Sequence, residues 1–140
     1  MQQKIFDYLI KAPARYKSQL DYHKHLSYPL LNALHKLETN VVISTIDDAS
    51  HCYCSSNKRE LEISASQALA LAGEKNISFD VALEIITLHE LGHLMMALYK
   101  YPQDDSPLTE RLAWLLGGKF LDYTGVSKRV YENILNEVAS

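Results

Sequence analysis

Cysteine, glycine and proline are all scarce in this chain of 140 residues, which contains two, five and four of them. The two cysteines, Cys52 and Cys54, are only one residue apart, and this spacing is poorly suited to a bond between them. The sequence therefore excludes a disulfide framework and favours a reducing, cytoplasmic setting. We recognise no internal repeat, low-complexity linker or secretory leader. No apolar run reaches the length expected of a membrane-spanning helix.

The chain also lacks a large excess of charge of either sign, because 14 basic and 17 acidic residues leave a net charge of only −3. This balance is too mild to predict a nucleic-acid or membrane partner. Residues 1–40 are the exception: six basic and three acidic side chains give them a local charge of +3, which we interpret as a solvated surface. A hydrophobic content of 47% predicts one soluble domain. We divide it into a helical segment (1–40), a core of sheet and helices (41–125) and a last helix (126–140).

Hydrophobic periodicity predicts an α+β fold. Three strands, 41–46, 51–55 and 60–64, are joined by short turns and favour a mostly antiparallel three-stranded sheet. Residues 14–28 read as irregular. Helices are predicted over 2–11, 29–38, 65–75 and 79 to about 100, then from Pro107 and after Ser127. The helix from Pro107 carries Leu108, Leu112, Leu115, Leu116 and Phe120. We expect N-caps at Ser78 or Asp80, at Ser106 and at Ser127.

His89, Glu90 and His93 form an H-E-x-x-H pattern within the longest predicted helix. Histidines four residues apart lie on one face of a helix, so they can bind the same metal ion, and the intervening glutamate can reach a metal-bound water. The surrounding helix is apolar nearly all round, which is typical of a central, buried helix. Burying these polar groups is costly unless they are paired or bind a metal. Gly92 predicts that another backbone packs closely against the site.

A catalytic zinc ion usually has three protein ligands, so a third ligand must come from elsewhere in the chain. We favour Glu110, in the first turns of the helix that begins at Pro107, because that helix is expected to pack back against the motif. Small residues at Ala113 and Gly117, one and two turns further on, would allow the close approach. Asp104, Asp105 and Asp122 are the other candidates.

The cysteines allow a different metal site. Cys52 and Cys54 would share a face of their strand, and together with His51 they offer zinc ligands. Thiols in a strand are more often small core residues, which is the interpretation that we favour. A structural zinc site that includes the two cysteines and histidines remains a weaker hypothesis.

His-Glu-Leu-Gly-His, followed by a helix containing Glu110, Ala113 and Trp114, resembles the gluzincins, and more narrowly the ImmA/IrrE metallopeptidases of bacteria and phages. The resemblance covers roughly residues 41–121. It implies that His89, His93 and Glu110 bind Zn²⁺ and that Glu90 is the general base. It also implies a zincin-like domain in which the strand at 60–64 is the edge that holds an extended substrate.

The resemblance further implies limited proteolysis of a regulatory protein partner. The residue that stabilises the oxyanion is left open among Tyr99, Tyr101, Tyr123 and His51. We expect no membrane partner and no direct binding of nucleic acid. The alternative is a zincin-like binding module that recognises a regulator without cleaving it, although such a module would not need Glu90.

Overall fold

A computed structural model describes residues 19–139 of the chain, and the helix predicted over residues 2–11 lies outside this range. The described part contains one sheet of four strands. The strands are β1 (Gln19–Leu20), β2 (Asn40–Ser44), β3 (His51–Cys54) and β4 (Arg59–Ser64). The fold is α+β, as the sequence predicts, but the sheet has one strand more than expected. The additional strand, β1, is only two residues long and lies in a polar stretch where no alternation is visible.

The order of the strands in the sheet is β1-β2-β4-β3. β2 runs parallel to β4, with Ile43 opposite Ile63, whereas β3 runs antiparallel to β4, with Cys52 opposite Leu61. The predicted antiparallel arrangement is therefore wrong for the β2–β4 pair. The reason is that β4 lies between β2 and β3 in the sheet, whereas a meander would place β3 between β2 and β4.

The position of β4 also corrects the expectation that residues 60–64 form the free edge of the sheet. Leu61 and Ile63 are fully buried in the core, and Glu60 and Glu62 on the opposite face are also buried. Burial of both faces is typical of an interior strand. The polar–apolar alternation had suggested one solvated face. Among residues 19–139, the edge strand on this side of the sheet is β3.

Six α-helices and one short 3₁₀ helix accompany the sheet in residues 19–139. They are α1 (Tyr22–His25), α2 (Tyr28–Lys36), α3 (Ala65–Lys75), α4 (Phe79–Leu98), α5 (Pro107–Gly118), the 3₁₀ helix (Leu121–Tyr123) and α6 (Lys128–Ala139). α1 lies in the segment that we predicted to be irregular. Hydroxyl groups of Ser78, Ser106 and Ser127 each accept a hydrogen bond from the backbone N–H three residues on, which confirms the predicted N-caps.

α4 is the central helix, and it is buried around most of its circumference. With 20 residues and a mean hydropathy of 1.4, it is long and apolar enough to cross a membrane, which corrects the expectation that no segment is. However, 67% of the apolar 18-residue stretch of this helix is buried inside the structure. This burial is what the core helix of a soluble protein requires, so the chain looks like a soluble protein.

The buried face of α5 consists mainly of small residues rather than of the leucines of this helix. Leu108, Leu112 and Leu115 are exposed, whereas Ala113 and Gly117 are buried. The cause is the close approach of α5 to α4, which only a face of small residues allows. Three large leucines on that face would have held the two helix backbones apart.

Glu84 is a buried carboxylate within α4 that joins three separate parts of the chain. Its Oε2 accepts a hydrogen bond from the backbone N–H of Ser27, and its Oε1 accepts from the Ser27 hydroxyl and from the N–H of Gly125. Because three donors satisfy this carboxylate, it is tolerated in the core. It links the start of α2 to α4 and to the turn before α6.

Candidate metal centre

Three side chains from α4 and α5 converge on one point. Nε2 of His89 lies 2.8 Å from Oε2 of Glu110, and Nε2 of His93 lies 3.2 Å from Oε1 of Glu110. The two Nε2 atoms are themselves 3.2 Å apart. Within residues 19–139, this is the one group of three or more metal-ligating side chains whose ligand atoms all lie within 4.8 Å of one another. The three residues can therefore bind a single metal ion.

Glycines on both helices bring Glu110 to the histidines. A Cβ atom added to Gly92 of α4 would lie 1.7 Å from the backbone oxygen of Ala113 in α5. A Cβ atom added to Gly117 of α5 would lie 2.0 Å from the backbone oxygen of Leu88 in α4. The two helices thus make backbone contact at two points, Gly92 with Ala113 and Gly117 with Leu88. This geometry confirms the expectation that Gly92, Ala113 and Gly117 permit a close approach.

Neighbouring side chains hold the two imidazoles in different ways. Nδ1 of His93 donates a hydrogen bond to Oε1 of Gln103 at 3.0 Å, which leaves its Nε2 to face the centre. The His89 ring stacks on the Trp114 indole, with 4.6 Å between ring centroids and 10° between planes. The backbone oxygen of Trp114 accepts a hydrogen bond of 2.5 Å from the Tyr131 hydroxyl. α6 therefore supports the wall against which His89 packs.

Glu90 is the carboxylate closest in sequence to both histidines, and it is almost completely buried, with 7% of its surface exposed. Burial raises the pKa of this carboxyl, and the charge of Glu110 raises it further, while His89, His93 and His51 act in the opposite direction. In contrast, the pKa of Glu110 is lowered, mainly by its hydrogen bond to His89. The two carboxyl groups thus differ in their affinity for a proton.

Comparison with known proteins finds no counterpart. No model of a protein family, no curated protein and no solved structure matches this chain.

The metal centre opens into a cavity of about 630 Å³ between β3, α4 and the loop that precedes α5. His51, at the start of β3, lines this cavity and influences the pKa of Glu90. Tyr99, Tyr101 and Tyr123 are exposed and are not among the side chains that line it. Four residues of the described part of the chain were considered for stabilising the oxyanion. His51 is the one of these four that lines the cavity of the metal centre.

The other candidate ligands are less well placed than Glu110. Asp104 and Asp105 line the same cavity but lie outside the group of converging ligand atoms. Hydrogen bonds from the side chains of Ser106 and Thr109, and then from the backbone N–H of Ser106, lower the pKa of the Asp104 carboxyl to about 2. Asp122 lies in the 3₁₀ helix, where it is exposed.

Cys52 and Cys54 line the cavity on β3, but they form no metal-ligating group with histidines in the part of the chain that the structure describes. Burial, followed by the charges of Glu90 and Cys54, raises the pKa of the Cys52 thiol to about 12. A metal ligand must be the thiolate. The geometry therefore gives no support to a structural zinc site on this strand.

Sequence reasoning missed the side chains that orient the ligands. Trp114 follows Glu110 by four residues, so the helical period places both side chains on one face of α5. This spacing could have revealed a role for Trp114 at the site. Gln103 gave no comparable signal, because it lies in a loop whose path depends on how α4 and α5 pack. Glu84 was detectable as an isolated carboxylate in an apolar run, but its three donors come from distant parts of the chain.

Proposed function

We propose that this chain is a zinc-dependent peptidase. The observation that carries this proposal is the position of a buried carboxylate, Glu90, beside the three-residue ligand set of His89, His93 and Glu110. Metal ligands alone are compatible with a structural ion. A second carboxylate beside them, with its affinity for protons increased by burial, is the group needed to take a proton from water.

The ligand set favours zinc among the common metals. Catalytic zinc sites combine histidine nitrogens at about 2.0–2.1 Å and carboxylate oxygens at about 2.0–2.2 Å with one position left for water. Tetrahedral geometry at those distances separates the ligand atoms by roughly 3.3 Å. The three separations of 2.8, 3.2 and 3.2 Å observed here are close to that value. A mixture of two imidazoles and a single carboxylate is less suited to calcium or magnesium, which prefer oxygen ligands.

When bound, zinc lowers the pKa of a water molecule and polarises the carbonyl group of the scissile peptide. The Glu90 carboxylate takes the proton from the attacking water, holds it, and passes it to the nitrogen of the leaving amine. His51 donates a hydrogen bond to the carbonyl oxygen as negative charge builds on it. Gln103 and Trp114 hold the two histidine rings, so little reorganisation is required during the reaction.

The substrate of this peptidase is an extended segment of a protein. β3 is an edge strand of the sheet and borders the cavity of the metal centre, so an extended substrate can add to the sheet beside it. By resemblance to ImmA/IrrE proteins, the substrate is a regulatory protein of the cytoplasm that is cut at one place.

The substitution Glu90→Gln tests this proposal against the alternative of a binding module. The variant should bind zinc as tightly as the parent protein, measured by calorimetry, and should no longer cleave a mixed peptide library, measured by mass spectrometry. His89→Ala is the matched control, because it should lose both zinc and cleavage. If the zinc-loaded parent protein cleaves nothing in a library that covers all residue pairs, the chain is a binding module.

A further inference from the structure

A second cavity adjoins the metal centre. It has a volume of about 300 Å³ and lies between α3, α5 and α6, on the flank of His89. Two side chains, His89 and Gln67, line both this cavity and the cavity of the metal centre. Gln67 is fixed at that boundary, because its Oε1 accepts a hydrogen bond of 2.6 Å from the Ser50 hydroxyl beside β3. A group bound in the second cavity would therefore lie next to a metal ligand.

The chemistry of the two cavities differs. The cavity of the metal centre is lined by carboxylates, imidazoles and amides, including Asp104 and Asp105. The second cavity has walls of aliphatic and aromatic side chains: Ala70, Leu71, Ile86, Trp114, Ile134 and Val138. Ile86, Trp114 and Ile134 are buried and form its inner part, whereas Val138 is exposed at its mouth. Such walls favour a ligand with apolar surface.

The charged groups at the second cavity disfavour a charged ligand. Lys75 is paired with both Glu74 and Glu137, and all three side chains line the cavity. Because the ammonium group is already paired with both carboxylates, a charged ligand would have to displace one of these ion pairs, which disfavours its binding. The volume of about 300 Å³ is ample for a leucine or phenylalanine side chain, since apolar cavities of roughly 150 Å³ bind benzene.

We infer that the second cavity is a specificity pocket, which binds an uncharged apolar side chain of the substrate next to the bond that is cleaved. This inference rests on the proposed function, and it adds the class of residue that the peptidase selects. Because Trp114 stacks on His89 and also forms a wall of the pocket, it links occupancy of the pocket to the metal centre.

The test compares two small probes on the zinc-loaded full chain, N-acetyl-leucine hydroxamate and N-acetyl-glycine hydroxamate. Both present the same metal-binding group, and they differ only in the side chain. Affinities are measured by calorimetry, and the fluorescence of Trp114, the only tryptophan of the chain, gives a second readout. We expect the leucine probe to bind at least about tenfold more tightly, as expected for an apolar group of this size in a pocket.

Two variants assign this preference to the pocket. Ala70→Phe fills the pocket from an exposed position of α3 and should reduce the preference to less than about threefold. Leu69→Phe is the matched control: it lies on the same helix, is 61% exposed and does not line the pocket, so it should leave the preference unchanged. Val138→Lys, at the mouth of the pocket, should weaken binding of the leucine probe and leave binding of the glycine probe intact.

The outcomes separate this inference from the proposed function. Equal affinity of the two probes for the parent protein would overturn the specificity pocket and leave the zinc site standing. A preference that survives both Ala70→Phe and Val138→Lys would also overturn the inference, because the selectivity would then arise elsewhere. Failure of the parent protein to bind zinc at all would instead overturn the proposed function, on which the inference rests.

Discussion

The substitution Gly92→Ala is a direct test of the backbone contact that assembles the metal centre. Its Cβ atom would lie 1.7 Å from the Ala113 oxygen, whereas real Cβ contacts are essentially never shorter than 3.0 Å. The difference, 3.0 − 1.7 = 1.3 Å, is the least by which α4 and α5 must separate at this point. Glu110 lies one turn before Ala113, so it moves away from the histidines with its helix.

Two opposing effects determine the stability of Gly92→Ala. Alanine favours a helix by about 1 kcal/mol relative to glycine, whereas overpacking of a well-packed contact costs about 1–3 kcal/mol and occasionally more. Here the obstructing atom is backbone, which cannot rotate away, so we expect the upper part of that range and a net loss of roughly 2 kcal/mol. Zinc affinity should fall at least about tenfold, because metal–ligand distances tolerate shifts of only about 0.2 Å.

Thermal unfolding of the metal-free protein and zinc calorimetry measure the two effects of Gly92→Ala. A net loss of roughly 2 kcal/mol corresponds to a decrease of about 8 °C in Tm. Gly73→Ala is the matched control, because it is also helical and an added Cβ atom would meet nothing within 4 Å. It should raise the stability by up to about 1 kcal/mol and leave zinc binding unchanged. If Gly92→Ala behaved like Gly73→Ala, our description of the contact between α4 and α5 would be wrong.

Three further predictions concern other parts of the molecule. Glu84→Ala leaves the buried donors of Ser27 and Gly125 without an acceptor, so it should destabilise the protein by about 2–4 kcal/mol in urea unfolding and leave zinc affinity unchanged. The carboxyl of Asp104 has a pKa of about 2 in the folded chain against an ordinary value of 3.8, so its stabilising effect should be complete above pH 3.8 and disappear as the pH falls through 2. Urea midpoints of the parent protein and Asp104→Asn should accordingly differ at pH 5 and converge near pH 2. A last prediction concerns the metal: zinc at 100 times its Kd should stabilise the parent protein by about 2.7 kcal/mol, and EDTA should reverse this gain in a thermal scan. His93→Ala should show neither effect.

The candidate site was more predictable from the sequence than the sheet was. The helical period places His89, Glu90 and His93 on one helix, and the small residues of α5 indicated which carboxylate approaches them. The spacing of the motif residues is local in the sequence, and the approach of Glu110 depends only on the packing of α5 against α4. The pairing of β2 with β4 is not local, because nothing in residues 41–64 indicates that β4 would be inserted between β2 and β3.

The contact of α4 and α5 through Gly92 and Gly117 has a consequence for how the protein acquires its ion. Two polypeptide backbones in direct contact fix the positions of His89, His93 and Glu110 before any cation arrives. The apoprotein should thus keep its native shape, unlike a zinc finger, which collapses only around its metal. Ion uptake and release should then proceed at the speed of diffusion and ligand exchange, without waiting for the chain to refold.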